Sequence, residues 1–199
     1  MEVFLETDRL ILRRFTADDV DNLVALDGDP EVMRFITGGR ATPRDEIEND
    51  TMPAFLSSYE RFAGYGFWAA VEKASGEFLG WFHFRPRPDD PLDEPELGYR
   101  LRWTAWGRGY ASEGSRALIG KGFADLGVRR VVAETMVVNT ASRRVMEKAG
   151  LSFVRTFHQE WPERIPGDEH GDVEYALTRD EWERQEAAAA GRPQADRKN

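Results

Sequence analysis

Apolar and polar residues alternate in several short stretches of this chain, and a period of two is typical of β-strands. The first stretch is RLILRRF, and from Gly66 the aromatic-rich stretches GFWAAVEK and EFLGWFHF are joined by an ASG turn that favours a hairpin. Further strands are predicted from ELGYRLRW, RVVAETMVV, LSFVRTFHQEW and DVEYALT. The pattern therefore predicts about seven strands.

Apolar residues at intervals of three and four predict helices between these strands. Thr16 and Asp19 make a capping-box-like start for the first helix, and Pro30 lies near the first turn of the second. Pro53 is expected to break or kink the next helical segment, which gives two helices. A long helix is predicted at about 109–126, with shorter ones in TASRRVMEKAG and after DVEYALT.

This order of elements combines hairpins with strand–helix–strand crossovers. The combination predicts an α/β (α+β) fold in which a mixed, mostly antiparallel sheet carries helices on both faces. At 199 residues a single domain is expected, and we place it at residues 1–185. Residues 186–199 offer little apolar surface for packing, so a disordered tail is expected there.

Composition and charge narrow the functional classes. The absence of cysteine excludes a disulfide framework and a thiol nucleophile, and three scattered histidines without metal spacing predict no metal site. The net charge of −9 argues against a nucleic-acid partner. No apolar run approaches the roughly 20 residues of a membrane helix, and the acidic start is unlike a signal peptide. We therefore expect no membrane partner and a cytoplasmic location.

The stretch TAWGRGYAS joins a predicted strand to the long helix and contains Gly107, Arg108 and Gly109. Backbone N–H groups at a helix N-terminus lack partners within the helix, and the helix dipole favours negative charge there. The two glycines remove Cβ atoms and let successive N–H groups turn toward one point, while Arg108 adds a positive charge. The stretch therefore predicts a site for a phosphate or pyrophosphate.

The residues of this turn leave other interpretations open. Neither the P-loop pattern nor the dinucleotide pattern Gly-x-Gly-x-x-Gly is complete, although Gly107, Gly109 and Gly114 come near the second. A tight turn without a ligand and a nucleotide-binding domain are the alternatives.

Three stretches together resemble the GCN5-related N-acetyltransferases, the GNAT family, and within it the RimJ/RimL-like ribosomal-protein N-acetyltransferases. They are TDRLILRRFTADD, ELGYRLRWTAWGRGYASEG and VNTASRRVMEKAGLSFV, and the resemblance extends to about Trp182. Trp106 stands where the family motif has Gln or Arg, and the RimJ/RimL-like branch often has an aromatic residue there. The resemblance implies a GNAT-like sheet that splays between predicted strands four and five.

The resemblance also implies acetyl-coenzyme A as the cosubstrate. The loop N–H groups would hold its pyrophosphate, and exposed backbone at the end of predicted strand four would pair with pantetheine. Asn139 and Ser142 match polar residues that face pantetheine and the thiol in the family. The implied coenzyme-binding residues are Leu101, Arg102, Trp103, Gly107, Arg108, Gly109, Ala111, Ser112, Asn139 and Ser142.

Two residues are the candidates for catalysis. Glu96 begins the strand expected beside the acyl group and is the candidate base, acting directly or through water, with Glu134 and Glu174 as rivals. By resemblance Ser142 protonates the leaving thiolate; its alternative is a solvated or capping residue in the first turn of a helix. Asn139 is also placed to cap that helix.

Together these inferences predict an acetyl-CoA-dependent N-acetyltransferase in which a primary amine attacks the thioester directly. The expected acceptor is a protein N-terminus or a small-molecule amine, and the acidic stretches DDPLDEPE and ERIPGDEHGD favour a cationic one. The alternative is a coenzyme A binding or sensing module without turnover. The resemblance also allows a homodimer, since dimers are common in the family.

Overall fold

The computed structural model describes residues 2–87, 90–159 and 164–191, and the strands in these ranges form one open sheet. They are β1 (Val3–Glu6), β2 (Leu10–Arg14), β3 (Gly66–Glu72), β4 (Phe78–Arg85), β5 (Glu96–Leu101), β6 (Arg130–Met136), β7 (Ser152–Phe157) and β8 (Asp172–Thr178). Their order across the sheet is β1-β2-β3-β4-β5-β6-β8-β7. The β5 and β6 strands are parallel, and all other neighbouring pairs in the described ranges are antiparallel.

Helices connect the strands and lie on the sheet. They are α1 (Val20–Asp27), α2 (Pro30–Met33), α3 (Arg44–Glu46), α4 (Met52–Arg61), α5 (Tyr110–Asp125), α6 (Thr140–Lys148) and α7 (Arg179–Ala190). A π-helical turn, Ile47–Thr51, joins α3 to α4, and a 3₁₀ turn, Trp103–Ala105, follows β5. The predicted α/β fold with a mixed, mostly antiparallel sheet is confirmed.

The structure adds one strand to the seven predicted. The additional strand, β1, is only four residues long and pairs with β2 across a turn in which the Thr7 N–H donates to the Leu10 carbonyl. Phe4 on this strand stacks on Trp68 with ring centroids 3.7 Å apart. Four residues contain too few alternations for a period of two to be recognised in the sequence.

Pro53 does not divide its helical segment, contrary to the prediction. Residues 44–61 are continuously helical, and Pro53 lies in the first turn of α4. Proline lacks an N–H donor and crowds the carbonyl four residues before it, which breaks a regular α-helix. The π-helical turn Ile47–Thr51 lies directly before α4, and its wider spacing accommodates the proline ring.

The last helix is longer than the predicted domain boundary allows, and parts of two predicted segments lie outside the described residues. Helix α7 continues to Ala190, past the domain boundary placed at residue 185. Residues 192–199 of the predicted tail lie outside the described ranges, as do residues 160 and 161 of the predicted strand LSFVRTFHQEW. The extent of the single domain therefore stays a prediction. None of the helices described is long and apolar enough to cross a membrane.

Two apolar cores cover the two faces of the sheet. On one face α5 packs against a core that includes Phe82, Phe84 and Leu97. On the other face α1 and α4 pack against a second core, where the Phe55 ring of α4 lies 5.6 Å from that of Trp81. The prediction of helices on both faces is confirmed, and β4 and β5 lie between the two cores.

Glycines let α5 approach the sheet closely. A Cβ atom at Gly114 would overlap the ring of Phe82, and one at Gly122 would lie 2.6 Å from the Phe84 Cζ atom. Both rings are fully buried, so they have no solvent space into which to move. Small residues at these two positions therefore hold the N-terminus of α5 beside the end of β5.

We predict that Gly122→Ala lowers the free energy of unfolding by about 1–3 kcal/mol, because its methyl group must displace a buried ring. Gly120→Ala is a matched control on the same helix, since a Cβ atom there meets nothing within 4 Å. The control should gain about 0.5–1 kcal/mol from the higher helix propensity of alanine. Urea unfolding of both variants measures the difference, and equal stabilities would contradict this packing.

Candidate functional site

The candidate site forms where β5 and β6 diverge. The two strands share one register pair, Glu96 with Val132, and the Val132 N–H donates to the Pro95 carbonyl at 3.1 Å. Beyond this pair β5 continues to Leu101 without pairing to β6. We call the opening between the strands the β5/β6 gap, and it confirms the splay predicted between the fourth and fifth strands of the sequence analysis.

The glycine-containing loop lies at the C-terminal end of β5, directly before α5. Gly107 and Gly109 have φ values of +71° and +85°, and Gly109 is the N-cap residue of α5. These backbone angles favour glycine and turn successive N–H groups toward one side. A Cβ atom at Gly107 would meet nothing within 4 Å, so the space beside this backbone is open. Positive φ values at two glycines and open space beside Gly107 agree with the expected anion-binding loop, and the binding role of Gly107, Arg108 and Gly109 stays a prediction.

A cluster of side chains ties this loop to the turn between β1 and β2. Arg9 donates through Nη1 to the Arg108 carbonyl at 2.9 Å and through Nε to the Glu113 carboxylate at 2.6 Å. The guanidinium groups of Arg9 and Arg108 lie 4.5 and 5.0 Å from the centroid of the Tyr110 ring. Burial alone would raise the pKa of Glu113, but hydrogen bonds from Thr7 and Arg9 lower it. Arg9 is a site residue that the sequence did not single out, because it is distant from the loop along the chain.

Leu101, Arg102 and Trp103, which are predicted to pair with pantetheine, differ in the partners of their backbone groups and in exposure. The Leu101 carbonyl accepts a hydrogen bond from Trp106 Nε1 at 2.8 Å, and the Arg102 N–H donates to the Leu79 carbonyl at 2.8 Å. Trp103 is more than half exposed and begins the 3₁₀ turn. Because backbone groups alternate along a strand, Tyr99 directs its N–H and carbonyl toward the β5/β6 gap. The coenzyme role of Leu101, Arg102 and Trp103 stays a prediction.

Asn139 and Ser142 lie across the gap from β5, at the start of α6. Asn139 caps α6 by accepting the Ser142 N–H at 3.2 Å, and its Nδ2 donates to Thr135 Oγ1 at 3.1 Å. The Ser142 hydroxyl lies 2.9 Å from the Tyr99 hydroxyl. Burial raises the pKa of Tyr99 well above its usual value, so this phenol stays protonated. The capping role predicted for Asn139 is confirmed, and Tyr99 is a site residue that sequence reasoning missed.

Ala111 and Ser112 lie in the first turn of α5. Ser112 is buried and Ala111 is half-buried. Their role in binding the coenzyme stays a prediction.

Glu96 lies on the opposite face of β5 from Tyr99, as the period of two requires. Its carboxylate is about one-fifth exposed, 3.6 Å from His83 Nε2 and 3.8 Å from Arg87 Nε. Burial raises the pKa of Glu96 above that of an ordinary carboxyl group, although Arg87 and Arg85 oppose the shift. A buried carboxylate with a raised pKa suits a proton acceptor at neutral pH.

The rival carboxylates have other partners. Glu134 accepts a hydrogen bond from Arg87 at 2.7 Å. Glu174 is bound by both Arg130 and Arg155 at 2.8 Å, and these hydrogen bonds lower its pKa against the opposing effect of burial. Both rivals are thus held by arginines at hydrogen-bond distance, and the role of Glu96 as the base stays a prediction.

His83 is a third site residue, after Arg9 and Tyr99, that the sequence did not single out. Its ring covers Gly98, where a Cβ atom would lie 2.5 Å from His83 Nε2. Burial, with the nearby arginines, lowers the pKa of His83 to about 3, so the imidazole is neutral. The sequence analysis considered this histidine only as a metal ligand. Within the described ranges no group of three or more His, Cys, Asp or Glu side chains is arranged to hold a metal ion.

Comparison with known proteins gives consistent matches. Residues 9–152 match the family model described as an acetyltransferase (GNAT) domain. The chain is 38% identical over 185 residues to the FsC-acetyl coenzyme A-N(2)-transacetylase of Aspergillus fumigatus, covering 89% of this chain and 77% of that protein. It is 30% identical over 146 residues to the uncharacterized N-acetyltransferase YoaA of Bacillus subtilis, covering 73% and 81%.

Solved structures share the fold. An acetyltransferase of the GNAT family from Bacillus anthracis superposes with a TM-score of 0.70 at 22% identity, covering 88% of this chain and 98% of that one. RimL, a ribosomal L7/L12 alpha-N-protein acetyltransferase solved in complex with coenzyme A, superposes with a TM-score of 0.71 at 22% identity, covering 89% and 98%. At these identities the likeness concerns the fold.

We predict that Gly109→Glu weakens coenzyme A binding by about 10- to 100-fold, because it places a negative charge on backbone donors that would face phosphate. Gly127→Glu, at the other end of α5, is the control for the added charge and for the positive φ, which is +69° there; nothing lies within 4 Å of its Cβ position, whereas a Cβ atom at Gly109 would lie 3.3 Å from Arg9 Nη2. Both variants carry a similar backbone strain of about 1–2 kcal/mol. Titration calorimetry checks the prediction, and unchanged affinity in Gly109→Glu would contradict this placement.

Proposed function

This chain belongs to the GNAT acetyltransferase family, and from that premise we propose how its residues transfer an acetyl group from acetyl-CoA to an amine. The observation that carries the proposal is the arrangement around the β5/β6 gap. Glu96, with its raised pKa, lies on one face of β5, and the Tyr99–Ser142 hydroxyl pair lies on the other. An amine and a thioester that approach from opposite faces would meet between a proton acceptor and a proton donor.

The loop and the gap fit a coenzyme that has a diphosphate and an extended arm. The N–H groups from Gly107 to Ala111 would bind the diphosphate, with Arg108 beside them, and the space next to Gly107 is open. The pantetheine arm would pair with the backbone at Tyr99, because the Arg102 N–H already donates a hydrogen bond to the Leu79 carbonyl of β4. Acetyl-CoA supplies an acyl group that its thioester already activates.

The proposed reaction moves two protons, one to a carboxylate and one from a hydroxyl group of this protein. Glu96 accepts the proton that the amine loses as its nitrogen bonds to the acetyl carbon. The Ser142 hydroxyl, hydrogen-bonded to Tyr99, donates a proton to the sulfur as the C–S bond breaks. The hydroxyl pair is recharged from solvent, and Glu96 releases its proton there. Neutral His83 adds no competing charge beside Glu96.

The acceptor is proposed to be a small-molecule primary amine. The support is the 38% identity to a protein named as an N(2)-transacetylase, whereas the likeness to RimL concerns the fold alone. A protein N-terminus, membership of the RimJ/RimL-like branch, a homodimer and a cytoplasmic location stay predictions from the sequence.

Incubation of the protein with acetyl-CoA and a panel of amines tests the function directly. Free thiol should appear only when a suitable amine is present, and mass spectrometry should find the acetyl group on its nitrogen. Coenzyme binding without turnover of any amine would instead support a binding or sensing module.

We predict that Glu96→Gln lowers kcat by about 10²- to 10⁴-fold, because it removes the proton acceptor. In the wild type only the carboxylate form acts as base, so kcat should fall as the pH drops through the raised pKa of Glu96. This limb of the pH profile should disappear in Glu96→Gln, while the affinity for acetyl-CoA is unchanged. Glu134→Gln is the control and should keep the acidic limb, moved to lower pH because the Glu134 charge helps to raise the pKa of Glu96. Loss of the limb in Glu134→Gln, with the limb kept in Glu96→Gln, would assign the base to Glu134.

A further inference from the structure

Several buried polar atoms without hydrogen-bond partners cluster on the face of β4 and β5 that carries Glu96. They are Trp81 Nε1, His83 Nε2, Arg85 Nε, Arg87 Nε and Arg100 Nε. Leaving a buried donor unpaired is costly, so native proteins rarely do so without a reason. Two of these atoms, His83 Nε2 and Arg87 Nε, lie 3.6 and 3.8 Å from the Glu96 carboxylate. A ligand that binds at Glu96 would therefore lie beside several polar groups that have no hydrogen-bond partner among the described residues.

The three arginines in this cluster differ in their charge partners. Arg100 forms an ion pair with Asp27 at 2.7 Å, and Arg87 forms one with Glu134 at 2.7 Å. In the described part of the chain Arg85 has no carboxylate partner; its Nη1 donates to the Pro86 carbonyl at 3.3 Å. The charge of Arg85 acts on Glu96, but within the described residues its guanidinium forms no ion pair within 4 Å, so its fork is available to a ligand.

The position of Arg85 relative to Glu96 follows from the register of the sheet. Arg85 and Glu96 are direct partners in the antiparallel pair of β4 and β5. Such partners have Cβ atoms about 4.5–5.5 Å apart on the same face. The Arg85 guanidinium lies 5.2 Å from the centroid of the Phe67 ring, which holds its planar fork beside the site. A molecule with its nitrogen at Glu96 would therefore have its neighbouring atoms close to Arg85.

We propose that the acceptor is an amino acid or a related amine that carries a carboxylate within a few bonds of the reacting nitrogen. Arg85 binds this carboxylate through its guanidinium fork, whose geometry matches two carboxylate oxygens. Glu96 meanwhile takes the proton from the amine. The inference rests on the proposed function, since it names the acceptor of the same transfer. It also reconciles an acidic protein with an anion site, because an amino acid carries both charges.

The first test compares acceptors in pairs. The α-, β- and γ-amino acids are each assayed beside the corresponding carboxamide, which keeps the amine but removes the negative charge. For at least one pair the wild type should favour the carboxylate by 10-fold or more in kcat/KM. Arg85→Gln should raise KM for that acid at least 10-fold and remove the preference, while KM for acetyl-CoA stays unchanged. Arg85→Lys, which keeps the charge without the fork, should lie between the two.

The second test measures binding without turnover. In the presence of coenzyme A, calorimetry is used to titrate N-acetyl amino acids and the matching N-acetyl carboxamides into the protein. The acids should bind at least 10-fold more tightly to the wild type than to Arg85→Gln. Arg61→Gln is the matched control, since Arg61 also lies over a phenylalanine ring, 5.7 Å from the centroid of Phe62, but on α4. It should bind the acids like the wild type, and thermal unfolding confirms that each variant is folded.

The outcomes separate this inference from the proposed function. Release of thiol with amines, but without preference for carboxylates or effect of Arg85→Gln, would overturn the carboxylate site and leave the transferase proposal standing. If no amine is acetylated, the proposed function fails, and the binding titrations then decide on Arg85 alone. Equal binding of acids and carboxamides would overturn the inference in either case.

Discussion

The divergence of β5 from β6 is the constraint on which the site depends. A strand within a sheet satisfies its backbone groups on both sides, but β5 pairs with β6 only at Glu96 and then continues alone to Leu101. Backbone groups of Tyr99 therefore face an opening instead of a neighbour. The close packing of α5 on Phe82 and Phe84 places a helix N-terminus at the end of the same opening. The unpaired backbone groups of β5 and the loop predicted to bind an anion are thus adjacent because β5 and β6 separate.

The period of two along β5 divides the chemistry between two faces. Tyr99 meets Ser142 on the face covered by α5, whereas Glu96 lies with His83 and Arg85 on the face covered by α1 and α4. Two substrates can therefore approach the same short segment of strand without competing for space. Burial raises the pKa of both Tyr99 and Glu96. Tyr99 therefore keeps its proton and can donate a hydrogen bond, and the Glu96 carboxylate becomes a stronger proton acceptor.

Local signals made much of this arrangement predictable. Alternation along β5 and β6, the glycines at positions 107 and 109, and the cap at Asn139 are all encoded within a few neighbouring residues. The partners that come from distant segments were not predictable in this way. Arg9 reaches the loop through the pairing of the β1–β2 hairpin with the rest of the sheet, and Arg85 meets Glu96 only through the register of two strands. Pro53 was misjudged because a π-helical turn, which has no clear sequence signature, accommodates it.

The contact of Arg9 with the loop makes the first hairpin part of the proposed coenzyme site. Its guanidinium holds the Arg108 carbonyl and the Glu113 carboxylate, and both lie beside the backbone donors of the loop. A ligand that orders this loop therefore stabilises the contact between the hairpin and the loop. By linkage, that contact stabilises the bound ligand by the same free energy. With coenzyme bound at this loop as proposed, a change in the amino-terminal residues that weakens the docking of the hairpin would also lower the affinity for coenzyme, at a distance from the reacting atoms.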